Sequence, residues 1–119
     1  MGKIFVVLGV LLGLSLTACG GPDYRRLDFM RPEESSQVER MKHDYSKCIL
    51  QQSLSIDDGV IDPFLIANEG ARRCATHLNN IKLFLYRSNF YKNEIDVLTD
   101  NTHRDSIRKA VESVLTVRN

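Results

Sequence analysis

The sequence carries almost no net charge and lacks a long hydrophobic run beyond its first residues. Its 119 residues include 16 basic and 15 acidic side chains. Nucleic-acid-binding proteins show a basic excess clustered on one face, so this balance argues against that class. No later segment approaches the roughly 20 apolar residues of a membrane-spanning helix, and there is no repeat or low-complexity tract. The sequence is that of one small domain.

The sequence also lacks the motifs that mark common catalytic sites. It contains no G-x-S-x-G nucleophile elbow, no phosphate-binding Walker loop, no H-E-x-x-H motif and no glycine-rich dinucleotide turn. Residues with acid–base side chains are present, but their spacing does not place them in one site. The candidates among them are Glu69, His77, Asp96 and His103. We therefore expect no enzymatic activity and no bound cofactor.

Metal-ligating patterns are weak as well. The candidate zinc ligands, which have side chains that zinc prefers, are Cys48, Cys74, His43 and His77. Their spacing is neither C-x-x-C nor H-x-x-H, so a zinc site is not favoured. Asp57, Asp58 and Asp62 lack the alternating carboxylates and terminal Glu of a calcium loop. We interpret these three residues as a solvated turn that caps the following helix, and we expect no metal site.

What the sequence does contain is a short apolar run at its start that ends in a cysteine. Lys3 precedes an uncharged segment from Ile4 to Leu16, and Thr17, Ala18 and Cys19 follow. Thirteen residues at about 1.5 Å rise span only about 20 Å, short of the roughly 30 Å hydrocarbon core. The segment therefore has the layout of a secretory signal peptide, which is removed from the mature protein.

Residues Leu16-Thr17-Ala18-Cys19 resemble the lipobox of bacterial lipoproteins, which reads Leu, a small residue, Ala or Gly, and Cys. The resemblance implies a signal peptide of residues 1–18 and diacylation of Cys19, whose new amine is then acylated. Two or more acyl chains anchor a protein stably. For a host with two membranes, the following Gly20, where Asp would favour inner-membrane retention, implies the outer membrane and a domain facing the periplasm. The alternative is an ordinary signal peptidase site followed by a free cysteine.

Lipidation of Cys19 would leave two thiols for other chemistry. Removing the first 18 of 119 residues leaves 101, with 15 basic and 15 acidic side chains, because Lys3 is the charged residue removed. Cys48 and Cys74 would then lie in a compartment where disulfides form and persist. We expect one intramolecular disulfide between them. The chain-entropy relation gives such a bridge about 3.5 kcal/mol of stabilisation.

Residues 19–31 contain Gly, Pro, Asp and Arg without an apolar period, and this composition predicts a flexible tether. Arg25 and Arg26 would be solvated there or would contact lipid head groups. A first helix is predicted from about 32 to 54, because Pro32 suits its first turn. Its apolar stripe consists of Val38, Met41, Tyr45, Cys48 and Ile49.

A second helix is predicted from Asp62 as N-cap and Pro63 as first residue to about Arg87. Its stripe consists of Phe64, Ala67, Ala71, Cys74, Leu78, Ile81 and Leu85. Gly70 lies inside this helix and indicates the close approach of a neighbouring backbone. Residues 88–98 either continue the helix or form a separate turn.

The segment Asp100-Asn101-Thr102 predicts a stop, followed by a third helix to about residue 117. No convincing strand pattern occurs. The sequence therefore predicts an all-α domain over residues 32–119. We expect a small bundle of three helices, with four as the alternative.

The second half of helix 2 is apolar around most of its circumference, so it has to be covered on more than one side. Its additional aromatic residues are Phe84, Tyr86, Phe90 and Tyr91. Either the other helices cover them, or they form a groove for a partner's helix or strand. The second alternative makes them candidate partner-binding residues, because aromatic side chains dominate interface energetics.

These features favour a small membrane-anchored periplasmic lipoprotein that acts as a protein-binding or assembly accessory module. Its partners would be the membrane, through the lipid anchor, and another cell-envelope protein. In size, helical architecture and anchoring the chain resembles the pilotins, which escort secretin subunits to the outer membrane. A structural envelope lipoprotein without a specific client is the other alternative.

Overall fold

The structure is a computed structural model that describes residues 23–119, and over this range the chain is all-helical. A 3₁₀ turn at Leu27–Phe29 precedes four α-helices. The helices are α1 (Pro32–Ile56), α2 (Pro63–Arg73), α3 (Ala75–Arg87) and α4 (Lys92–Arg118). No strand occurs between residues 23 and 119, and Cys48 is bonded to Cys74. The predictions of an all-α domain and of this disulfide are confirmed, whereas the signal peptide and Cys19 lie outside the described residues.

Helix α1 begins where the sequence predicts, because Glu34 caps its first turn. The backbone N–H of Arg31 donates to Glu34 Oε1 at 3.0 Å, and Pro32 occupies the first position. Glu34 satisfies a backbone N–H group that has no partner inside the helix, and Pro32 has no such group to satisfy. The inward stripe of α1 includes Val38, Tyr45 and Ile49, each at most 2% exposed. One face of this long helix is therefore buried along most of its length.

The turn between α1 and α2 is built from aspartates that accept backbone hydrogen bonds. Asp57 accepts from Gly59 at 2.9 Å, and Asp58 accepts from Val60 and Ile61. Gly59 has a φ of +82°, which favours glycine. Asp62 then accepts from the N–H of Phe64 at 2.7 Å. The interpretation of this segment as a helix-capping turn is confirmed.

The predicted second helix is wrong in one respect, because it is two helices. Cys74, with φ −101° and ψ 11°, separates α2 from α3. Its N–H is shared between the carbonyls of Gly70 and Ala71, both at 3.1 Å. The apolar stripe keeps facing inward across this break, from Ala71 through Cys74 to Ile81. The periodicity therefore continues through the break and gives no sign of it.

Gly70 lies where α2 crosses closest to α1, as the sequence predicts. A Cβ atom at this position would lie 2.7 Å from Ser53 Oγ and 3.1 Å from the Ile49 carbonyl oxygen. Such distances are shorter than ordinary van der Waals contacts, so a side chain here would push the two helices apart. Only a residue without a Cβ atom fits at this crossing, which explains why a glycine occurs here despite its conformational cost inside a helix.

The segment that follows α3 is a turn rather than an extension of the helix. Asn89 has a φ of +61°, a conformation that asparagine tolerates better than most residues. Helix α4 then starts at Lys92, so residues 92–98 belong to its first two turns. Residues 88–91 therefore form a short turn, and residues 92–98 begin a new helix and do not continue the preceding one.

The predicted stop at Asp100-Asn101-Thr102 is wrong, because α4 runs through it without a break. The hydroxyl of Thr102 donates to the Leu98 carbonyl at 2.8 Å, and that of Thr99 donates to the Ile95 carbonyl at 3.0 Å. These threonines satisfy their hydroxyl groups within the helix and do not cap a new one. Both are buried against the other helices. Burial overrides the local preference for a turn.

Two groups of buried apolar residues hold the helices together. The disulfide cluster consists of Tyr45, Ile49, Ala67, Ala71, Cys74, Ile107 and Ala110. The Phe90 cluster consists of Val38, Ile81, Leu85, Phe90 and Ile95. Helices α1 and α4 contribute to both clusters, whereas α2 contributes to the first and α3 to the second. The two shorter helices therefore pack on different ends of the α1–α4 pair.

The C-terminal part of the predicted tether is bonded to the domain. The N–H of Arg25 donates to the Asn89 carbonyl at 2.8 Å, and the N–H of Tyr91 donates to the Arg25 carbonyl at 3.1 Å. These bonds form an isolated parallel bridge between Arg25 and Phe90. The prediction of a free tether up to residue 31 is therefore wrong from Arg25 onward. Residues 19–22 lie outside the described range.

Candidate partner-binding surfaces

The structure does not bring the four predicted partner-binding aromatics onto one surface. Phe90 is 1% exposed and belongs to the Phe90 cluster, and half-buried Phe84 packs against that cluster. Tyr86 and Tyr91 are 40% and 42% exposed. Packing inside the domain accounts for Phe90, whereas Phe84 is partly accessible and the two tyrosines are exposed.

Arg25 covers Phe90 and ties the N-terminal segment to α1. Its guanidinium carbon lies 4.6 Å from the centre of the Phe90 ring, a cation–π distance. The same guanidinium donates to both carboxylate oxygens of Glu34, at 2.7 and 2.9 Å. Arg25 is therefore engaged with the domain and is not free for the lipid head groups considered from the sequence.

Glu34 is a buried carboxylate held by two arginines. It is 7% exposed, and besides Arg25 it accepts a bond from Arg31 Nε at 3.1 Å. Hydrogen bonding from Arg25 lowers the pKa of Glu34 to about 2, against the opposing effect of burial. The carboxylate is therefore ionised near neutral pH, and its ion pair with Arg25 attaches the N-terminal segment to α1.

A groove of about 460 Å³ opens between α2 and α4 on a different face of the domain. We call it the α2–α4 groove. Its lining residues are Phe64 and Asn68 from α2, and His103, Arg104, Ile107, Arg108, Val111 and Glu112 from α4. Its apolar residues are Phe64, Ile107 and Val111, and its charged residues are exposed on the α4 side. The groove thus combines an apolar floor with a polar rim.

Aromatic and aliphatic side chains beside this groove are unusually accessible. Phe64 is 57% exposed, and the adjacent Leu65 is 60% exposed. Asp62 fixes the first turn of α2 by its cap, so these two side chains project from a well-defined helix end. Large apolar residues that remain exposed next to a concave surface are characteristic of protein interaction sites.

A hydrogen bond between α1 and α4 fixes one end of the groove. The hydroxyl of Tyr45 lies 2.7 Å from Nδ1 of His103. Burial raises the pKa of Tyr45 to about 12, so the phenol retains its proton at neutral pH. His103 lies within α4 and joins the interior to the groove.

The charges on the rim are not equivalent. Arg108 is paired with Glu112 at 3.1 Å and lies 4.0 Å from Asp105. Arg104 donates to the amide oxygen of Asn101 at 3.1 Å. Among residues 23–119, no carboxylate lies within 4.0 Å of Arg104. This guanidinium is therefore the rim group that can accept an acidic partner without breaking an existing ion pair.

Sequence reasoning missed the groove because its aromatic residue belongs to a predicted buried stripe. Phe64 is the first residue of the apolar stripe of helix 2, so the sequence predicts that it is buried. The pair Phe64 and Leu65 carried a signal, because two successive residues on a helix point in directions about 100° apart. Both cannot face the same core.

The candidate metal ligands have other roles in this structure. The sulfurs of Cys48 and Cys74 are joined to each other, and Asp57 accepts from Arg118 as well as from the turn. Between residues 23 and 119, no three His, Cys, Asp or Glu side chains are grouped as a metal site would require. Glu69 and Asp96 are not joined to His77 or His103 by any hydrogen bond or ion pair in the described range.

None of the helices described over residues 23–119 combines the length and apolar character that a membrane crossing requires. Comparison of the chain with protein-family models, with curated proteins and with solved structures finds no match. Its function therefore has to be inferred from its own sequence and geometry.

Proposed function

We propose that the chain is a lipid-anchored accessory protein of the bacterial cell envelope that binds an amphipathic helix of another envelope protein. The lipobox at Leu16–Cys19 supports the anchor, and Gly20 supports the outer membrane with the domain in the periplasm. The observation that carries the binding proposal is the α2–α4 groove with its exposed Phe64. The four helices then act as one small bundle that presents this groove.

The spacing of the groove residues favours a helix as the occupant. On α4 they form two rows with four-residue steps, from His103 to Val111 and from Arg104 to Glu112. This length of α4 is about 14 Å, or about two and a half helical turns. A partner helix of similar length can lay an apolar stripe between the α2 and α4 walls, as in other helix-in-groove complexes.

The chemistry of the groove defines the partner further. Phe64, Ile107 and Val111 call for apolar residues at positions i, i+3 or i+4, and i+7 of the bound helix. Arg104 calls for an acidic residue beside that stripe, where it would form a charge-assisted hydrogen bond. A pilotin-like escort of an outer-membrane secretion component would be one instance of this proposal, with the client supplying the helix.

Site-specific photocrosslinking in cells tests the proposal. A photoreactive phenylalanine analogue would replace Phe64 in the groove, Tyr86 on the exposed side of α3, or Gln51 on the exposed side of α1. We expect one adduct with an envelope protein from Phe64, mapped to a segment with the stripe and acidic residue described above. Tyr86 tests the aromatic surface considered from the sequence, and Gln51 is the polar control.

The possible outcomes separate the candidate surfaces. An adduct from Tyr86 but not from Phe64 would move the binding site to α3 and overturn the groove proposal. Equal background from all three positions would indicate a structural envelope lipoprotein without a specific client. An additional Arg104→Glu substitution should reduce the Phe64 adduct severalfold, because it places like charges together at the rim.

A further inference from the structure

A second exposed group of side chains lies at the end of the domain where the described chain begins. Tyr24 is 57% exposed, Phe29 is 70% exposed and Tyr91 is 42% exposed. The rings of Tyr24 and Tyr91 are 5.7 Å apart. Arg25 connects these residues, because its main chain pairs with residues 89–91 and its guanidinium donates to the Phe29 carbonyl at 3.2 Å. We call Tyr24, Phe29 and Tyr91 the aromatic patch.

The patch lies close to the residue that we propose as the lipid anchor. Five residue steps separate Cys19 from Tyr24. Five residue steps span at most about 18 Å, which is the limit for a fully extended chain. An acylated Cys19 would lie at the membrane interface. Tyr24 would therefore lie within about 18 Å of that interface. The bonds of Arg25 to Asn89 and Tyr91 then keep the rest of the patch beside Tyr24.

The composition of the patch suits the interface between lipid head groups and acyl chains. Tyrosine combines an apolar ring with a hydroxyl group, and tyrosines are enriched at this depth in membrane proteins. The neighbouring arginines are paired with acids, Arg26 with Asp28 at 2.7 Å and Arg25 with Glu34. The patch therefore offers aromatic surface rather than an excess of positive charge, and it matches a zwitterionic lipid surface.

We propose that the aromatic patch docks onto the lipid bilayer and fixes the orientation of the domain on the membrane. This inference depends on the lipid anchor in the proposed function. Helix α1 leads away from the patch, and its 25 residues extend about 37 Å at about 1.5 Å per residue. Residues beyond its far end, such as Val60 in the turn to α2, would then lie well outside the bilayer, on the side from which a periplasmic partner approaches.

Tryptophan fluorescence in vesicles tests this orientation, since the natural chain contains no tryptophan. Phe29→Trp would place a reporter in the patch, and Val60→Trp would place a matched control at a residue that is 85% exposed. The full lipidated protein would be reconstituted in phosphatidylcholine vesicles with and without brominated acyl chains. We expect at least twofold quenching for Phe29→Trp and no quenching for Val60→Trp.

A flotation assay on the same samples separates the two proposals. The full protein should float with the vesicles and the Cys19→Ser variant should not; a full protein that fails to float would refute the lipid anchor itself. If the protein floats but the emission of each reporter is the same in brominated and plain vesicles, the docking inference is overturned and the lipid anchor is not. Adding Tyr24→Ser and Tyr91→Ser to the Phe29→Trp protein should at least halve the quenching without changing flotation. Unchanged quenching would contradict the role of the patch.

Discussion

Removal of the Cys48–Cys74 disulfide should cost the domain a large part of its stability. The bridge joins α1 to the junction of α2 and α3 across a sequence separation of 26 residues. For a loop of this length the chain-entropy relation gives about 3.5 kcal/mol at 25 °C. Because small domains have about 5–15 kcal/mol in total, the reduced protein should be only marginally folded at the lower end of that range.

Two perturbations separate the crosslink from the packing of its sulfurs. Reduction of the natural protein removes the covalent bond, and we expect it to cost about 3.5 kcal/mol. Cys74 is 1% exposed within the disulfide cluster. The Cys48→Ala/Cys74→Ala variant also loses the buried sulfur atoms, so it should cost about 1 kcal/mol more.

Urea unfolding followed by far-ultraviolet circular dichroism measures both losses. With a denaturant dependence of about 1 kcal/mol per molar urea, a loss of 3.5 kcal/mol lowers the midpoint by about 3.5 M. Alkylation of the unreduced protein followed by mass measurement establishes the starting state. Free thiols at Cys48 and Cys74 before reduction, or a loss below 1 kcal/mol on reduction, would refute this reasoning.

Two further stability predictions follow from the contacts of α1. The pKa of Glu34 is about 2 in the folded protein against an ordinary 4.5, so its ionised form stabilises the fold above pH 4.5 and this contribution is lost as the pH falls toward 2. Glu34→Gln should cost about 2 kcal/mol at pH 7 and flatten the acid slope of a urea titration; an unchanged slope would contradict the pairing with Arg25. Gly70→Ala should cost about 1–3 kcal/mol in thermal unfolding because its Cβ meets α1, whereas the clash with Ser53 Oγ should be partly relieved by Ser53→Gly; a stabilised Gly70→Ala protein would contradict the close crossing.

Local chemistry made several features of the fold predictable from the sequence. Pro32 starts α1, Asp62 and Pro63 start α2, and the disulfide between Cys48 and Cys74 joins the two helices. Each of these signals acts within a few residues or through a unique partner. Gly70 belongs to the same group, because a glycine inside a strong apolar period indicates a steric demand from a neighbour.

The features that sequence reasoning missed depend on long-range contacts or on an unbroken period. Cys74 separates two helices without changing the phase of their apolar stripe, so the pattern contains no sign of it. Thr102 would cap a helix if exposed, but it is buried within α4 and bonds backward. Arg25 is recruited from the predicted tether by Glu34 and Phe90, which are 9 and 65 positions later in the sequence.

The burial of individual aromatic residues was hard to predict for a related reason. Phe64 completes an apolar stripe and looks buried in the sequence, whereas for extra aromatics such as Phe90 the sequence leaves burial and exposure as open alternatives. In the structure Phe64 lies in the first turn of α2, outside the core, and is 57% exposed. Phe90 is buried because Arg25 and the turn after α3 enclose it. The coverage of a helix face depends on the ends of neighbouring helices, which the period does not define.

The central claim is that the α2–α4 groove holds a helix of an envelope partner. The most direct measurement is the ratio of photocrosslinked adduct obtained in cells from position 64 to that from the control position 51. We predict a ratio above ten, with the adduct mapped to an apolar helix that carries an acidic residue against Arg104. A ratio near one would contradict the claim.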